Sequence, residues 1–547
     1  MIGLRRKIGL GLGLGLGLVC LSASPTRADD APDEDTRPRE RTAAFHDIRL
    51  ALHGYFRVRA DVFDDLDLSR GPTPSTGTTI FPTPAAGGGR HTMTALDMRM
   101  RLEPELKVGQ AVRFFMRIDV LDNVAWGSTP NVLPSTTAQS YATTSAEVPS
   151  AGINSVSDAI RVKRAWGEVT LPFGVLSAGR MGALINWGTG FFVNDGSCIS
   201  CDGGDAGDRI ALTIPIANHF FTALYELSAS GPQIPLGFGQ DVQADRRANV
   251  NTVALAFARY ASPDAQRRTL EAGRALVQYG VLLSYRWQDL DAPAWVQPGG
   301  LSHPYGPSAF VNRGLKSFSG DLWFLIHKGP IRWELEAATV LGRVGDSSSI
   351  PGIALREATV VRQWGGVTSL AYQFKFPLRL RLEVGIASGD SAPGFGVRFA
   401  NGQTQTVKGD VDGPQLRPPT DNSVDNFAFH PDYRVDLVLW RRIIGRVTDA
   451  VYIKPTLRAG PFGNAQHHVT IDLSVIDSTA LYATTPPGQE HRLGTEVDLQ
   501  LRYRLELGFE ATLAYGIFAP GAGFKNLELN LDPKAAQVFE AILAYRM

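Results

Sequence analysis

From Phe45 to the end of the chain one pattern repeats, runs of about 10 residues in which apolar and polar positions alternate one by one. In 496–506, Glu496, Asp498, Gln500, Arg502, Arg504 and Glu506 share one parity, and Val497, Leu499, Leu501, Tyr503 and Leu505 share the other. Successive side chains of a strand point to opposite faces, so this segment predicts a strand with one apolar and one charged side. The run after it repeats the pattern, with Leu507, Phe509, Ala511, Leu513, Tyr515 and Ile517 against Gly508, Glu510, Thr512 and Gly516. So do 95–106 (Asp97, Arg99, Arg101, Glu103 and Glu105 against Leu96, Met98, Met100 and Leu102) and 111–121 (Arg113, Arg117 and Asp119 against Val112, Phe114, Met116, Ile118 and Val120). Arg379, Arg381 and Glu383 against Leu378, Leu380 and Leu382 give one more.

A soluble all-β sandwich would also alternate. Three features favour a membrane barrel. The runs approach the 9–11 residues that a tilted strand needs to cross a bilayer. The polar face carries charges of both signs, as a water-filled lumen allows. Short and long connections also take turns, as in barrels with short periplasmic turns and long extracellular loops. Short turns are read at 107–110, 172–173, 217–218, 329–330, 376–377, 461–463 and near Leu505, and a longer inner turn at 262–274. Long connections are read near 63–93, 123–158, 184–206, 230–249, 289–315, 343–360, 389–447, 477–490 and 518–535. The predicted fold is all-β, a transmembrane antiparallel up-and-down β-barrel. With Tyr433–Arg446 taken as a helical or irregular excursion inside one long outer loop, every tight turn falls on the periplasmic side. The count is then about 18 strands, with 16 as the runner-up.

The N-terminus sets the compartment. Arg5, Arg6 and Lys7 precede an apolar run, Ile8 to Leu21, and Thr26-Arg27-Ala28 precedes Asp29-Asp30. This order reads as a secretory signal over 1–28. The apolar run is shorter than the roughly 20 residues of a membrane-spanning helix. Cys20 leaves with it. Residues 29–44 are polar and charged and read as a flexible periplasmic leader, and 45–547 as the barrel. The chain has 54 basic and 54 acidic residues, and loss of the four basic residues of the signal leaves an excess of four acids. That balance argues against nucleic acid as a partner. The expected partners are outer-membrane lipid, the barrel-insertion machinery and further copies of the chain in a trimer. Phe539, Ala541, Leu543 and Tyr545 alternate in the last strand as an insertion signal would, although Met547 rather than an aromatic residue ends the chain.

The segment Arg164–Met181, RAWGEVTLPFGVLSAGRM, reads as strand, tight turn and strand. It resembles a hairpin recurring in general, carbohydrate- and phosphate-selective porins, which implies the class and no substrate. Together with NDGSCISCDGGDAGDRI and HPDYRVDLVLWRRIIGRVTDAVYIKP it also resembles a family of uncharacterised myxobacterial outer-membrane proteins. That resemblance implies location and fold and leaves the activity open.

Candidate chemistry lies on the lumen face and in the third outer loop. Arg99, Arg101, Arg113, Arg117, Arg180, Arg379, Arg381, Arg502 and Arg504 are expected to line the pore, with Glu383 and Glu510 among the opposing acids. Charged rings bias ion passage. The third loop, 184–206, holds Asn194, Asp195, Cys198, Cys201, Asp202 and Asp205, with Asp208 just beyond. Cys198 and Cys201 are the cysteines left after the signal, and the exported compartment is oxidising, which favours a disulfide. Asp195, Asp202, Asp205 and Asp208 are a candidate Ca²⁺ set, without EF-hand spacing. The other reading is an acidic, Gly-rich loop that narrows the lumen. Apart from that Ca²⁺ set, no cofactor is expected. No G-x-S-x-G elbow or HExxH helix occurs, and no enzymatic activity is expected. The sequence therefore predicts a channel for passive diffusion of small hydrophilic solutes. A loop-plugged structural or surface-binding barrel is the alternative, and an enzyme at the rim is the least favoured.

Overall fold

The computed structural model describes residues 48–84, 91–126, 160–182, 187–237, 239–292, 310–348, 357–398, 406–415, 422–464 and 466–547. The expected signal and leader lie outside the described residues. Eighteen strands form one closed antiparallel sheet. They are β1 (Ile48–Asp64), β2 (Thr92–Val108), β3 (Val112–Ala125), β4 (Ile160–Leu171), β5 (Gly174–Met181), β6 (Gly207–Ile216), β7 (His219–Ala229), β8 (Val250–Arg259) and β9 (Leu276–Gln288). The circuit continues with β10 (Leu315–Lys328), β11 (Ile331–Val344), β12 (Thr359–Gln373), β13 (Leu378–Ala387), β14 (Ala450–Gly463), β15 (His467–Ala480), β16 (Arg492–Leu505), β17 (Phe509–Pro520) and β18 (Ala536–Arg546). Each pairs with its neighbours in sequence, and β18 returns to β1 in register from Tyr55↔Arg546 to Asp64↔Gln537. A short hairpin, Gln233–Gly237 with Gln240–Gln243, decorates the connection after β7.

The alternation read from sequence becomes two surfaces. On β1, Leu50, Leu52, Phe56 and Val62 are exposed on the outside, while Tyr55, Arg57, Arg59 and Asp61 are buried inside. On β16 and β17, Val497, Leu499, Leu501, Leu513, Tyr515 and Ile517 face out. An apolar belt of this kind has no place in water and fits the hydrocarbon of a bilayer. Among the described residues no helix is long and apolar enough to cross a membrane, so the crossing is made by strands. A closed sheet also leaves no strand edge to face lipid.

Short turns at one end include Pro172–Phe173, Ala217–Asn218 and Gly329–Pro330. The longer inner turn carries a helix, α1 (Pro263–Glu271), whose first turn is capped by Ser262. The turn expected at 461–463 lies slightly later, because β14 runs through Gly463. Long connections occupy the opposite, extracellular end. The described parts of two of them, 187–206 and 422–449, turn back into the barrel. The second contains a π-helical stretch, Leu439–Ile444, packed in a buried apolar cluster with Phe191, Phe427, Phe429, Tyr452 and Phe518.

Near the seam, Gly54 has φ +153°, and its carbonyl accepts the Met547 amide at 3.0 Å. A Cβ at this position would lie 1.9 Å from the Arg101 carbonyl oxygen. The Gly54→Ala variant is therefore expected to lose about 1–3 kcal/mol. A lowered urea midpoint for the barrel refolded in detergent micelles, read by tryptophan fluorescence, is the check, and an unchanged midpoint counts against the account.

Candidate functional site

The inward side chains are buried towards the extracellular end, the filled half of the lumen, and half-exposed towards the periplasmic end of β11–β16, the open half. The filled half is built on arginines of β1 to β4. Their strands alternate, so Arg57, Arg59, Arg99, Arg101, Arg117 and Arg164 all project inward and are buried. Each reaches the third loop or its aspartates. Arg57 Nη1 donates to the Ile199 carbonyl at 2.7 Å, Arg99 Nη1 to the Cys201 carbonyl at 2.7 Å, and Arg101 Nη1 to the Gly196 carbonyl at 2.8 Å. Arg117 Nη1 donates to the Asp195 carbonyl at 2.8 Å, and Arg164 Nη1 to the Asp195 carboxylate at 2.6 Å. Asp202 is the centre of the clasp. It pairs with Arg59 at 3.0 Å, Arg99 at 3.0 Å and Arg57 at 3.4 Å. Asp97, Asp119 and Asp122 on β2 and β3 neutralise the same arginines from behind.

Burial alone would raise the Asp202 carboxyl. Arg59, Arg57 and Arg99 outweigh it and hold the group well below the usual carboxylate range. Asp205 is likewise lowered against its burial, chiefly by His430 and by the Asn194 amide. Cys198 and Cys201 are joined by a disulfide, so the carbonyls of Ile199 and Cys201 that the arginines hold belong to a tied four-residue turn.

The long connection before β14 locks onto this loop. The Asp432 carboxylate accepts the Asp202 and Gly203 amides at 3.1 and 3.0 Å. Arg434 Nη2 donates to the Ser200 carbonyl at 3.0 Å, and burial beside Arg441 pushes its guanidinium down to about 10. The His430 amide donates to the Phe191 carbonyl at 2.6 Å, and Phe191 stacks edge-on against Phe429. Further along, Glu496 on β16 accepts the amides of Leu437, Val438 and Leu439 at 2.8–3.0 Å, at the start of the π-helical stretch. Arg441 pairs with Glu540 at 2.6 Å and Arg442 with Asp61 at 3.0 Å. The two loops thus form one polar-bonded plug fixed to β1–β4 on one side and to β16 and β18 on another.

The open half is basic along β11–β16. Arg332, Arg379, Arg381, Arg458, Arg502 and Arg504 are half-buried on the lumen face near the periplasmic turns. Arg381 pairs with Glu383 at 2.6 Å, Arg458 with Asp472 at 2.6 Å, and Arg504 with Glu510 at 3.0 Å. Among the described residues no carboxylate lies within 4.0 Å of Arg379, whose register partner on β14 is Arg458. Across the barrel, Glu103 and Arg117 pair at 2.6 Å, and Arg113 pairs with Glu168 at 2.9 Å.

The structure therefore places Arg99, Arg101, Arg113, Arg117, Arg379, Arg381, Arg502, Arg504, Glu383 and Glu510 on the lumen face. Arg99, Arg101 and Arg117 hold the plug there, and Arg113 is tied to the wall. Arg180 is a correction. It shares the parity of the exposed Leu176, while Ser177 and Met181 are buried inside, so it faces outward and pairs with Asp208 at 2.8 Å. The proposed Ca²⁺ set is a second correction. Asp195, Asp202, Asp205 and Asp208 turn to separate partners: Arg117 and Arg164, Arg57, Arg59 and Arg99, His430, and Arg180. Asp208 stands on β6 outside the lumen. Among the described residues, the three ligand-type side chains that do converge are Asp65, Asp67 and His91, on the first long connection. Sequence reasoning missed Arg57, Arg59, Arg164, Asp432 and Arg434. The first two sit in YFRVRADVFDD, whose alternation matches that of 95–106.

No protein-family model matches the chain. No curated protein matches it either. Among solved structures it is similar to a BenF-like porin from Pseudomonas fluorescens Pf-5, at 10% identity over 92% of this chain and 99% of that one, with a TM-score of 0.44. It is also similar to OccK11 (OpdR) of Pseudomonas aeruginosa, at 10% identity over 92% and 97%, with a TM-score of 0.44. OmpT, an outer membrane protein of Vibrio cholerae, aligns at 9% identity over 91% and 98%, with a TM-score of 0.33. The class of the protein rests on its own strands. A closed, even-stranded antiparallel barrel with an apolar belt, short turns at one end and long loops at the other is an integral β-barrel of the outer membrane.

Removing the Asp202 charge takes one carboxylate from three arginines that keep Asp97 and Asp122, and of these Arg57 and Arg99 are fully buried. The Asp202→Asn barrel should be less stable by about 1–3 kcal/mol at neutral pH. A carboxyl lowered on folding contributes stability that is present above its unfolded value, about 4, and lost as the pH falls towards the folded one. The gap in melting temperature between wild type and Asp202→Asn should hence be widest near pH 7 and close below about pH 4. A gap independent of pH would sink the assignment.

Proposed function

We propose that this barrel is a channel for passive diffusion of small hydrophilic solutes, with a preference for anions, narrowed by the plug of 187–206 and 430–447. The observation that carries the reading is the basic vestibule. Six arginines crowd the periplasmic half of β11–β16, and their acidic neighbours there are Glu334, Glu383, Asp472 and Glu510. A lumen wall with surplus positive charge concentrates small anions and repels cations. The vestibule side chains are partly exposed to the lumen, whereas those of the upper wall are buried under the plug. A solute entering from outside then meets the narrow polar section first and the basic vestibule after it. Resemblance to porins and to myxobacterial outer-membrane proteins agrees with this class and supplies no solute.

The burial of the upper lumen favours one second reading, a barrel closed by its loops that transports nothing. Planar bilayers separate the two. The first reading expects unitary conductance steps without an energy source and a reversal potential on the chloride side of zero in a KCl gradient. The Arg379→Gln, Arg381→Gln double variant should lower the chloride-over-potassium permeability ratio by about two-fold or more. Silent bilayers from a folded, heat-modifiable barrel would favour the closed reading, and deletion of 431–447 should then open it.

A further inference from the structure

On the outer surface, the extracellular ends of β10 and β11 bring two cations face to face. Lys316 and Arg343 are register partners. Lys316 shares its parity with Phe318 and Leu322, and Arg343 shares its parity with Leu341. All of these are exposed on the lipid-facing side. One ladder step nearer the bilayer centre runs an aromatic and aliphatic row, Tyr285, Phe318 and Leu341, paired across β9, β10 and β11. Trp287, beside Lys316 in register, extends it. Aromatic residues of this kind mark the membrane–water boundary. The two cations therefore stand just beyond the acyl region, at headgroup height in the outer leaflet.

Their charge is unusual for this rim. Arg180, Arg362 and Arg492 also end strands on the extracellular side, and each has an aspartate at 2.8–2.9 Å (Asp208, Asp425 and Asp477). Among the described residues no carboxylate lies within 4.0 Å of Lys316 or Arg343. The neighbouring chain segments 293–309 and 349–356 contain no Asp or Glu. Like charges directly opposite each other on a ladder destabilise the pair. The arrangement becomes favourable when an anion lies between them, and a phosphate accepts from an ammonium and from a planar guanidinium at once.

We propose that Lys316 and Arg343 bind the phosphate of an outer-leaflet lipid, whose acyl chains lie on Phe318, Leu322 and Leu341. The lipid rather than free phosphate is the occupant, because the apolar row runs directly from the cations into the membrane. This site lies outside the lumen and does not depend on the channel reading.

Native mass spectrometry of the full barrel in neutral detergent tests it, with lipid A, phosphatidylcholine and inorganic phosphate as separate probes. Lipid A should be retained over phosphatidylcholine. The double variant K316Q/R343Q should lose that retention, by about five-fold in affinity for each charge removed. The charge-conserving K316R/R343K should keep it. Both side chains are exposed, and heat modifiability on gels reports that the variants are folded. If the neutral double variant does not fold, K316Q and R343Q alone should each show the single step. Equal lipid A occupancy in wild type and K316Q/R343Q overturns the proposal. So does a site that retains inorganic phosphate and shows no preference for lipid A over phosphatidylcholine.

Discussion

A backbone amide or carbonyl left unpaired in hydrocarbon costs several kcal/mol, and a sheet can avoid that only by closing on itself. The β18–β1 seam is where this chain meets that demand. Once the sheet is closed, the two parities of every strand acquire fixed meanings. One side must be apolar because it touches lipid. The other is free to hold charge because it is enclosed, and the chain uses that freedom heavily. The arginines of β1–β4 could not exist on the outer face at mid-bilayer, and on the inner face they need acids and carbonyls to be tolerable. The plug supplies these. Its loops are therefore part of the electrostatic balance of the wall as much as a restriction on the lumen.

Much of the fold was legible because strand parity is a local property. Runs such as 496–506 declare their faces without reference to the rest of the chain, and Pro and Gly mark most of the turns. Treating Tyr433–Arg446 as an excursion rather than a strand was enough to reach eighteen, since an additional strand would have put a tight turn at the loop end. The candidate site was legible only in part. Arg99, Arg101 and Arg117 could be placed on the inner face, but nothing local says that they grip a loop about eighty to a hundred residues away. Asp432 and Arg434, which complete the plug, alternate with Tyr433 and Val435 as in a strand, so parity alone does not mark them as loop residues.

Arg180 lies where strand parity does not carry across a turn. The Pro172–Phe173 turn joins two strands whose parities must be traced separately. The hairpin motif suggested an arginine at the mouth of the lumen, whereas Ser177 and Met181 already occupy the inner side of β5. The acidic loop misled for a related reason. Clustering in sequence says nothing about convergence in space, and here each aspartate is drawn towards a different cation. Charge complementarity with the wall, not affinity for a metal, explains why those residues are acidic.

The clasp around Asp202 also constrains how the protein is made. Arg57 meets Ile199 across 142 residues, Gly203 meets Asp432 across 229, and Arg442 meets Asp61 across 381. Contacts of such sequence separation carry a large loop-closure cost and slow folding. The β18–β1 seam joins residues still further apart, so clasp and seam together make up the slow, non-local part of assembly.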